Sequence, residues 1–174
     1  TSGPKLSLLD KSSMLLSAKS VNEHLCINQN DLWLCCLPTH HVSGLSIYAR
    51  AYNSSSKVIT LESKWNINDF YNSLKQYFVT ICSLVPAQLY DLVESKSNPP
   101  NNLRALILGG DHLNSELYRK SIDLGWPVLR TYGMTESCSQ IATEKIVGEG
   151  MSILDIWSLN CLLYTSDAAD EIAS

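Results

Sequence analysis

The chain has 174 residues, of which 45% are hydrophobic and 17% charged, with a formal net charge of −4. That is enough for one domain with a sizeable core, while 13 Lys and Arg without a basic run argue against a nucleic-acid surface. No apolar run approaches the roughly 20 residues that span a bilayer, and with no secretory signal at its start the chain is expected in the cytoplasm.

In chain order, Thr1-Ser2-Gly3-Pro4-Lys5 is a Gly/Ser/Thr stretch too short to offer a phosphate many backbone donors. Met14, Leu15, Ala18, Val21 and Leu25 predict a helix from Lys11 to Leu25, capped by Ser12 or Ser13. His24 near its end reads as a surface or capping histidine. Asp31 to Leu37 is continuously apolar after Asp31, the pattern of a strand covered on both faces. Cys35 and Cys36 should point to opposite sides of it. With Cys26, Cys82, Cys138 and Cys161 they make six cysteines. None forms a C-x-x-C pair, so reduced core thiols are expected rather than a zinc site or a disulfide framework. Pro38 ends the strand before Thr39-His40-His41-Val42-Ser43-Gly44-Leu45. The adjacent histidines have no third metal ligand at suitable spacing.

A helix is expected over Leu45 to Ala51 and a strand over Lys57 to Leu61. Ile67, Phe70, Tyr71, Leu74 and Phe78 mark the next helix, with Asn66 as its cap. Val79 to Val85 is strand-like, and Pro86 suits the first turn of a helix that buries Leu89, Leu92 and Val93. Ser95 to Asn102 is a loop by composition. Leu103 to Leu108 is a strand ended by Gly109-Gly110, where a bare backbone lets a ligand approach. Asn114 caps a helix that Gly125 and Pro127 stop. Strand, helix, strand in this order predicts a parallel pair.

Val128 to Thr143 (VLRTYGMTESCSQIAT) carries the chemistry. Val128 and Leu129 suit a buried strand, Gly133 permits a bend, and Glu136 then falls just past the strand's carboxyl end, where open α/β sheets bind ligands. A carboxylate there suits Mg²⁺. Thr135 can donate to a phosphate oxygen, and Tyr132 offers a flat face to a base.

Tyr132-Gly133-Met134-Thr135-Glu136 resembles the YGxTE motif of the adenylate-forming, acyl-CoA synthetase-like superfamily. Its extension through Ser139-Gln140-Ile141, and His41-Val42-Ser43-Gly44-Leu45, which resembles LPxxHxSGL, are most similar to the o-succinylbenzoate–CoA ligases of menaquinone synthesis. Gly109-Gly110 is similar to a glycine pair beside the acyl substrate, and Thr1 to Lys5 to a shortened TSGxTGxPK phosphate loop. The resemblance implies an α/β sheet of parallel βαβ units flanked by helices, part of the large N-terminal domain of such an enzyme. It also implies ATP, Mg²⁺, coenzyme A and a small carboxylic acid as ligands. Glu136 would hold the metal, Tyr132, Gly133 and Thr135 the nucleotide, and His41, Ser43, Gly44, Gly109 and Gly110 the acid, with Thr135, Glu136 and His41 counted as catalytic.

Residues 1–147 are expected to form a partial adenylation domain. Residues 148–174 are off pattern, and Cys161 to Glu171 reads like translated sequencing adapter. No Tyr-x-Thr-Gly-Asp motif follows, and no small C-terminal domain with its lysine, so the chain by itself is expected not to turn over. Another acyl- or aryl-CoA synthetase, or a non-catalytic nucleotide-binding α/β module, remains open at this point.

Overall fold

The structure is a computed structural model that describes residues 7–61 and 64–158. The shortened phosphate loop at Thr1 to Lys5, Cys161 and the adapter-like tail lie outside the described residues. The elements run α1 (Lys11–His24), β1 (Leu32–Cys35), α2 (Val42–Ser54), β2 (Lys57–Thr60), α3 (Ile67–Gln76), β3 (Ile81–Leu84), α4 (Pro86–Glu94), β4 (Ala105–Leu108), α5 (Ser115–Asp123), β5 (Val128–Met134), a 3₁₀ turn (Thr135–Ser137), β6 (Ser139–Glu144) and β7 (Met151–Ile153).

They form one seven-stranded sheet in the order β2-β1-β3-β4-β5-β6-β7. The pairs β1–β2, β1–β3, β3–β4 and β4–β5 are parallel, as the strand–helix–strand pattern predicts. The pairs β5–β6 and β6–β7 are antiparallel. The polar-apolar mix after Glu136 hid this return strand. β7 lies in the segment that the sequence reading sets apart from the domain.

Strand alternation divides the core in two. Leu34, Cys82, Leu84, Leu106, Leu108 and Val128 pack on one face with Phe70 and Leu74 of α3 and Leu89, Leu92 and Val93 of α4. Trp33, Cys35, Ile81, Ala105, Ile107 and Leu129 pack on the other with Val21 of α1 and Ile47 and Ala51 of α2. Cys35 joins the second cluster and Cys36 packs against the first, the opposite facing expected of neighbours in a strand. The described cysteines are free thiols, but Cys26 is exposed rather than in the core. Burial pushes the Cys36 thiol up to about 12 and disfavours its thiolate.

The helices change sides where the chain reverses across the sheet. β1 leads through α2 to β2 on one flank, whereas β2 leads through α3 back past β1 to β3 on the other. Keeping one crossover hand while the direction reverses requires α2 and α3 to lie on opposite faces. A crevice therefore opens outside the carboxyl ends of β1 and β3.

Several local readings need correction. Asp10 caps α1, not Ser12 or Ser13; its carboxylate accepts from both of their amides, at 3.1 and 3.2 Å. A carboxylate serves the helix's positive end better than a hydroxyl. α2 begins at Val42 with His41 at its N-cap, so Ser43 and Gly44 are helical. Phe78 leaves the apolar face of α3: it follows the C-cap at φ 55° and is 71% exposed. The expected caps Asn66 and Asn114 and the stop at Gly125 (φ 86°) are as the sequence indicates.

Candidate active site

A cleft of about 570 Å³ opens above the carboxyl ends of β1, β3, β4 and β5, within the usual range of small-molecule sites. His41, Ser43, Gly109, Gly110, Gly133, Thr135 and Glu136 all line it. Residues separated by up to 95 positions in sequence are thus gathered in one place. Tyr132 and Gly44 are not among the lining residues. Tyr132 is partly exposed on β5, and Gly44 is buried beneath the mouth of α2, where a Cβ would overlap the carbonyl oxygen of Pro38.

The glycines serve different needs. Gly110 has φ 92°, a region L side chains rarely adopt. A Cβ on Gly109 would meet the Thr131 hydroxyl, which lies 3.2 Å from the Leu108 carbonyl. Gly109 is thus held bare by Thr131 while its backbone lines the cleft. β5 continues through Gly133 to Met134, and its pairing with β6 shifts register between Tyr132 and Gly133, leaving Ile141 opposite no residue of β5. The missing side chain of Gly133 makes room for β6, because a Cβ there would overlap the backbone of Ser139.

After Met134 the 3₁₀ turn carries Thr135 and Glu136 at the exposed rim. Ser137, buried beneath it, accepts from the Met134 amide at 3.2 Å and reaches the carbonyl oxygens of Met134 and Ser139 at 2.9 and 3.0 Å. Cys138 and Ser139 then run at φ 58° and 128°. Two residues with side chains in glycine-favoured geometry mark a tight, over-determined turn.

The sequence reading gave Arg50 no role, although it lines the cleft and is 2% exposed. Its Nη2 donates to Ser139 Oγ at 2.9 Å, its Cζ lies 5.8 Å from the Trp33 ring centroid, and its Nε has no partner among the described residues. Burial lowers its pKa to about 10, which leaves it charged at neutral pH. Ser83 Oγ and Gln140 Oε1, in residues lining the same cleft, are also buried without partners. Gln140 can present its amide N–H₂ instead, since oxygen and nitrogen are interchanged by a flip. The signal for Arg50 was there: it lies three residues after Ile47 and six after Gly44, on the face of α2 that must meet the sheet.

The N-terminus of α2 opens toward this cleft and has no side-chain cap, so its first N–H groups add positive potential. Glu136 and Thr135 line the same cleft with hard oxygen donors, a donor set that fits Mg²⁺ beside phosphate. Among the described residues no group of three or more His, Cys, Asp and Glu forms a protein-only metal cage. One carboxylate with substrate oxygens is the arrangement Mg²⁺ commonly takes.

The AMP-binding enzyme pattern matches residues 1–157. The chain belongs to the AMP-binding enzyme family. Among curated relatives, a 2-succinylbenzoate–CoA ligase of Staphylococcus epidermidis is 35% identical over 146 residues, covering 83% of this chain and 31% of that enzyme. The Lactococcus lactis ligase of the same name is 39% identical over 130 residues, covering 74% and 28%. The Bacillus subtilis O-succinylbenzoate Coenzyme A Synthetase solved with AMP superposes with a TM-score of 0.78 at 33% identity, over 83% of this chain and 30% of that one. Further structures of that enzyme contain ATP with magnesium ion and the acyl-adenylate intermediate. The chain spans about 31% of the length of the first of these relatives.

Proposed function

We propose that this chain supplies the acid- and phosphate-facing part of an ATP-dependent acid–CoA ligase whose acid is 2-succinylbenzoate. One observation carries the choice of acid: the unpartnered buried polar atoms of Arg50, Ser83 and Gln140 in one cleft. A ligand's leftover carboxylate would accept from Arg50 Nε, from the Ser83 hydroxyl and, with its amide flipped, from Gln140. 2-Succinylbenzoate has two carboxylates, so one remains charged after the other is activated. A monocarboxylic acid would leave the Arg50 charge buried and unbalanced, which is costly.

In the intact enzyme, an oxygen of the substrate carboxylate attacks the α-phosphorus of ATP. The bond to pyrophosphate breaks and an acyl-adenylate forms. The thiol sulfur of coenzyme A then attacks the acyl carbon and AMP leaves. Glu136 would hold Mg²⁺, which, when bound, offsets charge on the phosphates. Thr135 donates its hydroxyl to a phosphate oxygen, and the exposed ring of Tyr132 beside the turn suits adenine. His41 and Ser43, at the mouth of α2, face the acyl group with donors for its oxygen, while Gly109, Gly110 and Gly133 shape the wall between acid and phosphates. Gly44 acts from below by seating α2. No helix among the described residues is long and apolar enough to cross a membrane, and substrates such as ATP and coenzyme A fit a cytoplasmic setting.

The test is calorimetric titration of the 174-residue chain. 2-Succinylbenzoate should bind at least about ten-fold more tightly than benzoate or hexanoate, and Arg50→Met should erase the difference, because a hydrogen bond to a charged group contributes about 1.5–3 kcal/mol. Equal affinity for the monocarboxylic acids would discard the choice of acid. With about a third of the relatives' length present, binding is expected without pyrophosphate release; measurable release by the purified chain would contradict that.

A further inference from the structure

Asn22 is buried on α1, a polar residue beside an apolar layer in which Val21 and Leu25 pack with Ile47 and Ala51 of α2. Its Nδ2 donates to the Arg50 carbonyl oxygen at 2.8 Å. A carbonyl can only accept, so the orientation of the Asn22 amide is fixed. Its Oδ1 is then the atom left buried without a partner among the described residues. An orphaned buried acceptor costs stability. Leucine has nearly the same shape and would carry no such cost. Asparagine here therefore serves something other than stability.

The bond it makes shows what that is. Ser54 Oγ also donates to the Arg50 carbonyl, at 2.9 Å, so this backbone group is gripped from two sides. At the other end of the same residue, the Arg50 guanidinium lies on the cleft wall and donates to Ser139 Oγ at 2.9 Å. A second bond runs the opposite way between the helices: Asn53 Nδ2 of α2 donates to the Leu15 carbonyl of α1 at 2.6 Å. Two bonds about two turns apart along α1 fix both the slide and the roll of α2 against it. The Asn53 bond is exposed, so the buried Asn22 bond is the stronger constraint. Packing alone fixes less: the buried face of α1 is built from Ser17, Ala18, Ser20 and Val21, small side chains that raise shallow ridges. A slide of α2 by one residue rise, about 1.5 Å, would carry the guanidinium out of reach of Ser139 Oγ. Packed helices elsewhere use a buried asparagine to fix register in this way, at a cost in stability.

We propose that Asn22 is a positioning residue: its bond to the Arg50 carbonyl fixes the register of α2 on α1 and thereby holds the Arg50 guanidinium at its place on the cleft wall. The register claim stands on the two helices alone. Its consequence for the acid rests on the acid-binding reading given above.

The experiment is a double-mutant cycle on the affinity of the 174-residue chain for 2-succinylbenzoate. It is read beside urea unfolding and the NMR contact between the Arg50 Nε proton and the Trp33 ring. Asn22→Leu should leave the unfolding midpoint unchanged or raised, lose the Arg50–Trp33 contact, and weaken binding at least about ten-fold, the worth of a hydrogen bond to a charged group. In an Arg50→Met background the same substitution should cost no further affinity. Equal weakening in both backgrounds, or a loss of stability, is what a merely structural residue gives, and either overturns the proposal. So does a retained Arg50–Trp33 contact, or unchanged affinity in a chain whose Arg50→Met variant binds weakly. If Asn22→Leu fails to fold, Asn22→Met is read the same way, and failure of both overturns the proposal. A wild-type chain without affinity for the acid, or an Arg50→Met variant that binds as tightly as wild type, discards the acid-binding reading. The Arg50–Trp33 contact then decides alone: its loss in Asn22→Leu upholds the register claim, and its persistence overturns it.

Discussion

Burying a guanidinium without a carboxylate beside it costs several kcal/mol, and among the described residues the Arg50 guanidinium meets the Ser139 hydroxyl and the Trp33 ring but no carboxylate. A cost kept at the floor of a cleft points to a ligand that cancels it. Replacing Arg50 by methionine should therefore raise stability in the absence of ligand, by about 1 kcal/mol or more, while removing affinity for the acid. Urea unfolding with and without 2-succinylbenzoate checks both signs; a destabilised Arg50→Met would mean the charge is already balanced within the protein. Reading from sequence placed Thr135 and Glu136 just past the carboxyl end of β5, and the structure has them there at the cleft rim. It missed Arg50, whose place on the sheet-facing side of α2 emerges only once the helix is phased from Gly44 and Ile47. It did not show why Gly133 and Gly109 must lack a side chain, since the neighbours that forbid a Cβ, Ser139 and Thr131, come from pairings that the local sequence does not display.

α2 brings His41, Ser43, Ser46 and Arg50 to the cleft along one helix, so its seating matters as much as any one of them. That seating depends on Gly44. A Cβ there would overlap the Pro38 carbonyl, a backbone atom that cannot swing aside. Gly44→Ala should cost about 1–3 kcal/mol in stability and weaken acid binding without touching the ligand. A circular-dichroism melt beside a titration measures the two, and an Ala variant with wild-type affinity would show that α2 can be displaced harmlessly. The elements themselves were largely legible. Continuous apolar runs gave β1, β3 and β4, and Asn66, Pro86, Asn114 and Gly125 gave helix ends. β6 was not, because its strand pattern begins inside the polar turn and is broken by the bulge at Ile141.

Over the whole molecule, the two helical layers meet the sheet through apolar packing, but α1 also reaches the antiparallel half through His24, whose Nε2 lies 3.1 Å from the Thr143 carbonyl. Burial, reinforced by Lys145 and opposed by Thr143 and Asp155, holds His24 below its usual 6.5. A base with a depressed folded value binds protons more readily when unfolded. Its contribution is thus complete above about pH 6.5 and is lost as pH falls through the folded value. The melting temperature should fall between pH 7.5 and 5.5, and less so in His24→Gln, whose amide can donate to the same carbonyl; parallel pH profiles for the two proteins would remove His24 from the account. The parallel half of the sheet was foreseeable from the strand–helix alternation. The mixed character was not, since nothing in residues 139–153 announces a reversal.

That reversal has a genetic corollary. Because β6 runs back beside β5, Thr135 and Glu136, proposed to face the phosphates, and Ser139 and Gln140, proposed to face the acid, come from six consecutive residues at one rim. Transplanting this short cassette between related enzymes would carry both halves of the recognition problem at once, so nucleotide and acid preferences in this fold should be inherited together rather than exchanged piecemeal.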